Sequence, residues 1–494
     1  MKKPFLQKSN TGKLGERGVT MILVALAMVA IVGIAALSID VVTLYLARQE
    51  AQRSADNAAL AAAKIISLSG LTGDPANTST NWVKVCGPDN GTDGLAGRVA
   101  KSVASQDGVG GQVPTTVNVT YSAQSGGTLG AGTNDCTGLA TSSFGVNPIV
   151  TVQLTRSALP SFFSRIWGNT GNQVSATATA EAFNPSNSAI VVVAGTTIPV
   201  RPRCVKPWVV PNRNPLYPVH AGVKYCDQGA PVGACNKWVD LGTGTIQNQG
   251  VTLNGVTTPT GVIGETFWLS PDCRFGNQAT CQLRNASPQG NYTGSFRVEP
   301  PPNLLYVPGQ VGTTVQGVPS CSSGDTYEEA IEGCDAPTNY SCGVPANGNV
   351  VDTTLNPELK TVAGVQCLTH QTDDTNITSS SGQDYLNTFA APNSYPFQML
   401  AGSGNPTGLR DTPISASNSV VSLPIYDDVA NPVIGASTTT NVTFVGFLQV
   451  FINAVDQYGN VNVTVLNVAG CSNNATGAAI DGNSPVPVRL ITPP

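Results

Sequence analysis

The strongest constraint on the fold is an unbroken run of 22 uncharged residues near the start of the chain, at residues 18–39. A helix rises 1.5 Å per residue, so the run extends about 33 Å, close to the thickness of a bilayer's hydrocarbon core. Five basic residues and one acidic residue precede it, and basic residues flank the cytoplasmic end of membrane helices. The sequence therefore predicts one transmembrane helix at 18–39, with a basic cytoplasmic tail at 1–17 and the bulk of the chain extracytoplasmic. A removed signal peptide is the alternative, because IAALS at 34–38 could serve as a cleavage site.

A second helical segment follows directly, because residues 40–68 contain neither glycine nor proline. Small or apolar residues recur there at steps of three and four, which places them on one face of a helix. This alanine seam consists of Leu44, Ala47, Ala51, Ala55, Ala58, Ala62 and Ile65. Alanine presents only a methyl group, so the seam permits close approach by another element. That element is either the chain's own globular part or another subunit.

The composition is typical of an exported, turn-rich protein. Charged residues make up 11% of the chain, against about 25% in an average soluble domain. The chain has 52 glycines and 35 prolines, and a net charge of −5. Basic residues are concentrated only in the N-terminal tail, so nucleic-acid binding is not predicted.

All twelve cysteines follow residue 85. An even number of cysteines in an oxidising compartment predicts disulfides, although the sequence alone does not determine their connectivity. Pairs close in sequence are the favoured candidates: Cys226 with Cys235, Cys273 with Cys281, and Cys334 with Cys342.

The expected fold class is α+β. Residues 69–184 predict a small α+β domain that packs on the long helix, and residues 185–494 predict a β-rich, loop-rich region. A helix is expected at 94–106, strands at 115–123, 148–156 and 173–183, a further helical turn in LPSFFSRIWG at 159–168, and a hairpin joining 441–455 to 460–470.

The N-terminal segment resembles a known family. The resemblance is carried by ADNAALAAA at 55–63 and by six ordered positions: Gly18, Asp40, Tyr45, Arg48, Gln52 and Asp56. Together they are similar to the N-terminus of TadG-like proteins, of the Flp pilus-assembly TadE/G family of bacterial tight-adherence systems. The resemblance implies a single-pass protein of the bacterial inner membrane, with other pilus-assembly proteins as partners.

The chain departs from related pilins at one position. Pilins carry a glutamate at the fifth residue after the cleavage glycine, which neutralises a neighbouring subunit's amine within the lipid. If Gly18 were that glycine, the fifth residue would be Leu23. The departure favours a permanently anchored protein over an ordinary pilin subunit.

No motif predicts catalysis or a cofactor. His370 is near two aspartates in an expected solvated loop, and Glu328 with Glu329 is expected on the solvated face of a helix. The segment DNGTDG at 89–94 lacks the distal glutamate of a complete calcium loop. We expect a non-enzymatic protein without a cofactor, a metal site or a small-molecule substrate. A membrane-tethered binding protein or hydrolase unrelated to pili remains the alternative.

Overall fold

The fold is described from a computed structural model of the protein. The described residues are 14–70, 72, 82–89, 92–125, 128–140, 144–145, 147–163, 165, 168, 171–184, 200–215, 236–241, 244, 246, 262–271, 303–335, 340, 350–352, 354–355, 357–373, 381–387, 398–414, 416–430, 439–471, 480–482 and 484–491.

One helix dominates the first part of the chain. The helices are α1 (Leu14–Leu68), α2 (Trp82–Cys86), α3 (Leu95–Gln106), α4 (Thr326–Glu332) and α5 (Pro357–Thr369), and a 3-10 turn spans Cys136–Gly138. Helix α1 is continuous over 55 residues, which confirms the predicted long N-terminal helix. Its N-terminal part is long and apolar enough to cross a membrane.

The rest of the described chain is rich in strands. They are β1 (Pro88–Asp89), β2 (Thr92–Asp93), β3 (Thr116–Ser122), β4 (Gln124–Ser125), β5 (Thr128–Leu129), β6 (Ile149–Leu159), β7 (Asn172–Ala182), β8 (Val200–Pro202), β9 (Trp208–Pro211), β10 (Thr266–Pro271), β11 (Asn303–Pro308), β12 (Val350–Asp352), β13 (Tyr385–Leu386), β14 (Met399–Leu400), β15 (Pro413–Ile414), β16 (Val420–Tyr426), β17 (Thr439–Asn441), β18 (Phe444–Val455), β19 (Val461–Gly470), β20 (Ile480–Gly482) and β21 (Val488–Ile491).

The chain divides into two compact units. The first unit comprises Met1–Ala58, Lys101–Asn118 and Val152–Ala178. The second unit comprises Ala59–Ala100, Val119–Thr151 and Thr179–Pro494. The division passes through α1, α3 and the strands β3, β6 and β7. The domain boundary between residues 184 and 185 stays a prediction.

A four-stranded sheet has the order β21-β7-β6-β3. Strand β21 pairs antiparallel with β7, with Val488 opposite Ala182. The Arg489 guanidinium bonds to the Glu181 carboxylate and lies 5.3 Å from the centre of the Phe183 ring. The last described strand therefore completes a sheet whose other strands all lie before residue 183.

The second unit contains a closed six-stranded barrel with the order β10-β11-β9-β16-β18-β19. Its longest pair, β18 and β19, is buried along almost its whole length. Strand β18 is accordingly a nearly continuous apolar run, whereas β19 also buries the polar residues Thr464 and Asn467. Between the two strands, the Asp456 carboxylate accepts hydrogen bonds from the backbone N–H groups of Tyr458 and Asn460, at 3.0 and 2.9 Å. The pairing confirms the predicted hairpin.

The barrel holds the C-terminal end of α1. The Asn467 side chain donates a hydrogen bond of 2.8 Å to the Ser67 carbonyl. Leu68 packs against an apolar cluster that includes Phe451 and Leu466, from β18 and β19. The helix therefore ends against strands that lie some 400 residues later in the chain.

The described disulfides join Cys86 to Cys136, Cys204 to Cys334 and Cys321 to Cys367. Cys471 is also disulfide-bonded. The predicted clip between Cys334 and Cys342 is wrong, because Cys334 pairs across 130 residues instead. Nearness in sequence did not identify the partner, since the barrel brings distant segments together. The candidates Cys226, Cys235, Cys273, Cys281 and Cys342 lie outside the described residues.

The helical turn predicted at 159–168 is present only in part: Arg165 lies in a 3-10 turn, and the Gly168 N–H group donates to the Arg165 carbonyl at 3.1 Å. Strand β6 continues to Leu159, and Ala158 near its end adopts a left-handed conformation with φ of 56°. Residues 162 and 163 form a bend. Their backbone N–H groups bond to a distant carboxylate, described below, rather than to carbonyls of a local helix.

The buried carboxyl group of Glu265, which directly precedes β10, generates a pH prediction. The Asn214 side chain donates to it at 2.9 Å, but burial dominates and raises the pKa of Glu265 from 4.5 to about 8. Folding then favours the protonated form, so this contribution to stability is lost as the pH rises from about 4.5 towards 8. The Glu265→Gln variant keeps the shape of the side chain but removes its titratable group. Between about pH 5 and pH 7, we expect wild-type stability to fall relative to the variant by up to about 1.4 kcal/mol per pH unit.

Chemical denaturation of both proteins across this range is the measurement. Burial lowers the pKa of Lys206 to about 7, so that group affects stability mainly above this range. Parallel pH profiles for the two proteins would contradict the prediction.

Candidate functional site

The alanine seam is buried within the chain itself. Ala51, Ala55, Ala58 and Ala62 have no exposed surface, Ala47 and Ile65 are buried, and Leu44 is half-buried. Three further residues, Ala59, Ala63 and Ile66, are also fully buried. These three residues form a second row, each one position after a residue of the seam. The sequence analysis did not predict this row, although its residues also recur at steps of three and four.

Within the first unit, α1 lies close to the end of α3. The Ser54 hydroxyl is 3.5 Å from the Ala104 carbonyl, and the Asn57 side chain donates a hydrogen bond of 2.8 Å to the Asp107 carboxylate. Ala104 is fully buried, as Ala96 and Ala100 are. Helix α3 thus carries its own row of alanines at steps of four. Small side chains on both helices allow their backbones to approach closely.

Glu50 holds a glycine-containing turn against α1. The backbone N–H of Gly110 donates to the Glu50 carboxylate at 2.7 Å. Gly110 has φ of 60°, and a Cβ atom there would lie 2.6 Å from the side chain of Leu159. The left-handed backbone conformation favours glycine, and a larger residue would also displace the end of the Leu159 side chain. No local pattern predicts this contact, because its two partners are 60 residues apart.

Asp40 is the polar residue that ends the apolar run of α1. Its side chain is buried, and its two oxygens accept hydrogen bonds from the backbone N–H groups of Phe162 and Phe163, at 2.9 and 3.0 Å. Hydrogen bonds to a charged group contribute about 1.5–3 kcal/mol each. The pair therefore fixes the loop after β6 at one point along the helix.

The other family-motif positions have different surroundings. The Gln52 side chain donates to the Asp56 carboxylate at 2.8 Å and to the Thr177 carbonyl at 3.2 Å, so it links α1 to β7 within the first unit. Tyr45 and Arg48 are exposed. Gly18 lies within α1.

The residues considered for catalysis serve local structure. His370 directly follows α5 and has φ of 61°. Glu328 is on the predicted helix, but it is buried and accepts a hydrogen bond from the Ser323 hydroxyl. The expectation of a solvated face is therefore wrong for Glu328, because the preceding turn covers it. Asp89 and Asp93 lie on the short paired strands β1 and β2. Within the described ranges, no group of three or more potential ligands could hold a metal ion.

Helix α1 combines an exposed apolar half, which is long enough to cross a membrane, with a half that is packed on the chain. Residues 18–64 match the Flp pilus-assembly TadE/G-like family, which confirms the resemblance of this segment. The match lies within α1 and includes Asp40 and the seam up to Ala62. No curated protein and no solved structure matches the chain.

The packing of the seam generates a stability prediction. Ala55→Leu adds three carbons to a fully buried position, and overpacking of this kind costs about 1–3 kcal/mol. Leucine is a good helix former, so a loss would report on packing rather than on helix formation. We expect a lower thermal midpoint for the detergent-solubilised full chain and faster proteolysis.

Arg53→Gln is the matched control, because Arg53 is exposed on the same turn of α1. It is expected to change stability by less than about 0.5 kcal/mol. Equal midpoints for the two variants would show that the seam tolerates bulk.

Proposed function

We propose that the protein is a non-enzymatic, membrane-anchored structural or assembly component of a Flp/Tad-type pilus or a related envelope complex. The observation that carries the proposal is the family match at residues 18–64. It covers both the apolar run of α1 and the packed seam, so the resemblance includes the whole transition between them.

The arrangement of α1 supports an anchored role. The large hydrophobic side chains between Val19 and Leu46 are mostly more than half exposed, which is unfavourable in water and favourable in lipid. The seam that follows is already covered by the chain. The surface that α1 leaves free is therefore mainly its apolar half, and a bilayer is the environment that suits it.

The absence of a carboxylate in the run supports permanent anchorage over release into a filament. Leu23 occupies the position at which pilins place their glutamate. A subunit without that charge has no partner for a neighbour's amine inside the lipid. We therefore assign the protein to the assembly machinery in the inner membrane, with a cytoplasmic N-terminus.

The topology is tested with reporters. A periplasm-active enzyme fused after residue 70 is expected to be active, and the full chain is expected to require detergent for extraction, because the apolar run spans the bilayer. A fusion at residue 12 is the control and is expected to be inactive. Release of the intact protein by salt alone would contradict anchorage.

The pilus role is tested by deletion and complementation. Loss of the gene is expected to abolish surface piliation while pilin is still made, and the wild-type chain is expected to restore it. A chain that lacks residues 18–39 is expected not to restore it, whereas Arg53→Gln is expected to do so. Normal piliation in the deletion strain, or loss of a degradative activity instead, would favour a tethered binding protein or hydrolase.

A further inference from the structure

We propose that the loop after β6 forms a second membrane contact, in which Phe162 and Phe163 insert into the interface of a bilayer containing anionic phospholipid. The inference rests on the proposed membrane anchorage, and it adds a lipid-binding element outside α1. It requires that the loop is exposed, that it lies at the end of the apolar run, and that its polar groups are satisfied near lipid.

Both aromatic side chains are exposed in the folded chain. Phe162 is 57% exposed and Phe163 is 36% exposed. The large aromatic residues of the barrel, by contrast, include fully buried Trp208, Phe447 and Phe451. Two adjacent exposed phenylalanines on a bend are unfavourable in water, so their position needs a partner surface.

The hydrogen bonds to Asp40 place this bend beside α1. They hold the backbone N–H groups of both phenylalanines at 2.9 and 3.0 Å from the Asp40 carboxylate. Asp40 directly follows the apolar run at 18–39. The bend therefore lies at the level where the helix would leave the hydrocarbon core, which is where aromatic side chains are enriched in membrane proteins.

The apolar surface of α1 is continuous with this level. Val41, Val42 and Tyr45 are each more than half exposed, although they come after the run. Phe162 and Phe163 lie near this patch, because their backbone N–H groups bond to Asp40, which directly precedes Val41. A patch that adjoins a membrane-spanning surface is covered by the same lipid, which favours a bilayer over a soluble partner.

The polar groups of the bend suit a lipid interface. A backbone N–H group near hydrocarbon is costly unless it is hydrogen-bonded, and Asp40 satisfies the N–H groups of both phenylalanines. Arg165 is exposed three residues after Phe162. A basic side chain at this depth is attracted to the phosphate groups of anionic lipids.

Site-specific photocrosslinking tests the proposal directly. The full chain, with p-benzoylphenylalanine replacing Phe162 or Phe163, is reconstituted into vesicles of phosphatidylcholine and phosphatidylglycerol and irradiated. We expect phospholipid adducts at both positions, at least about tenfold above background, identified by mass spectrometry. In the protein that carries the probe at position 162, the Asp40→Asn substitution is expected to reduce the yield of lipid adduct severalfold. Asparagine is a weaker acceptor than the carboxylate, so it releases the bend.

Two control positions separate this inference from the anchorage. A probe at Val29, an exposed residue of the apolar run, must give lipid adducts if α1 spans the bilayer. Val113 is also exposed, at 53%, but it closely follows Gly110, which bonds to Glu50. Glu50 lies ten residues, or about 15 Å, beyond Asp40 along α1. A probe at Val113 is therefore expected to give no lipid adduct.

The outcomes are distinct. Lipid adducts at Val29 but not at Phe162 or Phe163 would overturn the second contact and leave the anchorage intact. Adducts from Phe162 or Phe163 to another protein molecule would also overturn it, because the patch would then be a protein interface. No lipid adduct at Val29 would overturn the anchorage itself.

Discussion

The structure depends on the close packing of α1, which only very small side chains allow. Ala51, Ala55 and Ala58 are fully buried, and the Ser54 hydroxyl comes within 3.5 Å of a carbonyl of α3. Each methyl group buries little apolar area, so the stabilisation comes from many backbone and methyl contacts at short range. A helix packed in this way tolerates polar changes on its exposed side and tolerates very little added bulk on its buried side.

A row of alanines stabilises the contact but does not determine how far the helix slides along its axis, because one methyl group resembles the next. The polar contacts determine the position of the helix along its axis. Asp40 bonds to the bend at Phe162, and Glu50 and Asn57 bond to Gly110 and Asp107 in the turn after α3. A shift of one helical turn, about 5.4 Å, would break all of these hydrogen bonds. Apolar contacts therefore hold the helix, and polar contacts, of which only that of Asp40 is buried, fix its register.

Local patterns in the sequence predicted local structure well. The seam, the helix at 94–106 and the β18–β19 hairpin all have periodicities or turn residues that act over a few positions. The remaining features depend on partners far away in sequence. The Cys204–Cys334 disulfide and the bonds from Asp40 to the bend after β6 span more than a hundred residues. Helical spacing at 159–168 predicted the hydrogen bond from Gly168 to Arg165 but not the bend before it, whose backbone N–H groups bond to a distant carboxylate.

The pairing of β21 with β7 constrains how the protein matures. Residues 179–182 are synthesised long before residues 488–491, which are their partners, so this edge of β7 stays open until β21 has been made. Open edges recruit other strands and promote aggregation. The C-terminal end of α1 likewise lacks its hydrogen-bond partner until Asn467 has been synthesised. Early segments of the chain must therefore persist in an incomplete state until residues 467–491 have been made, and protection of the open strand edge matters most during that interval.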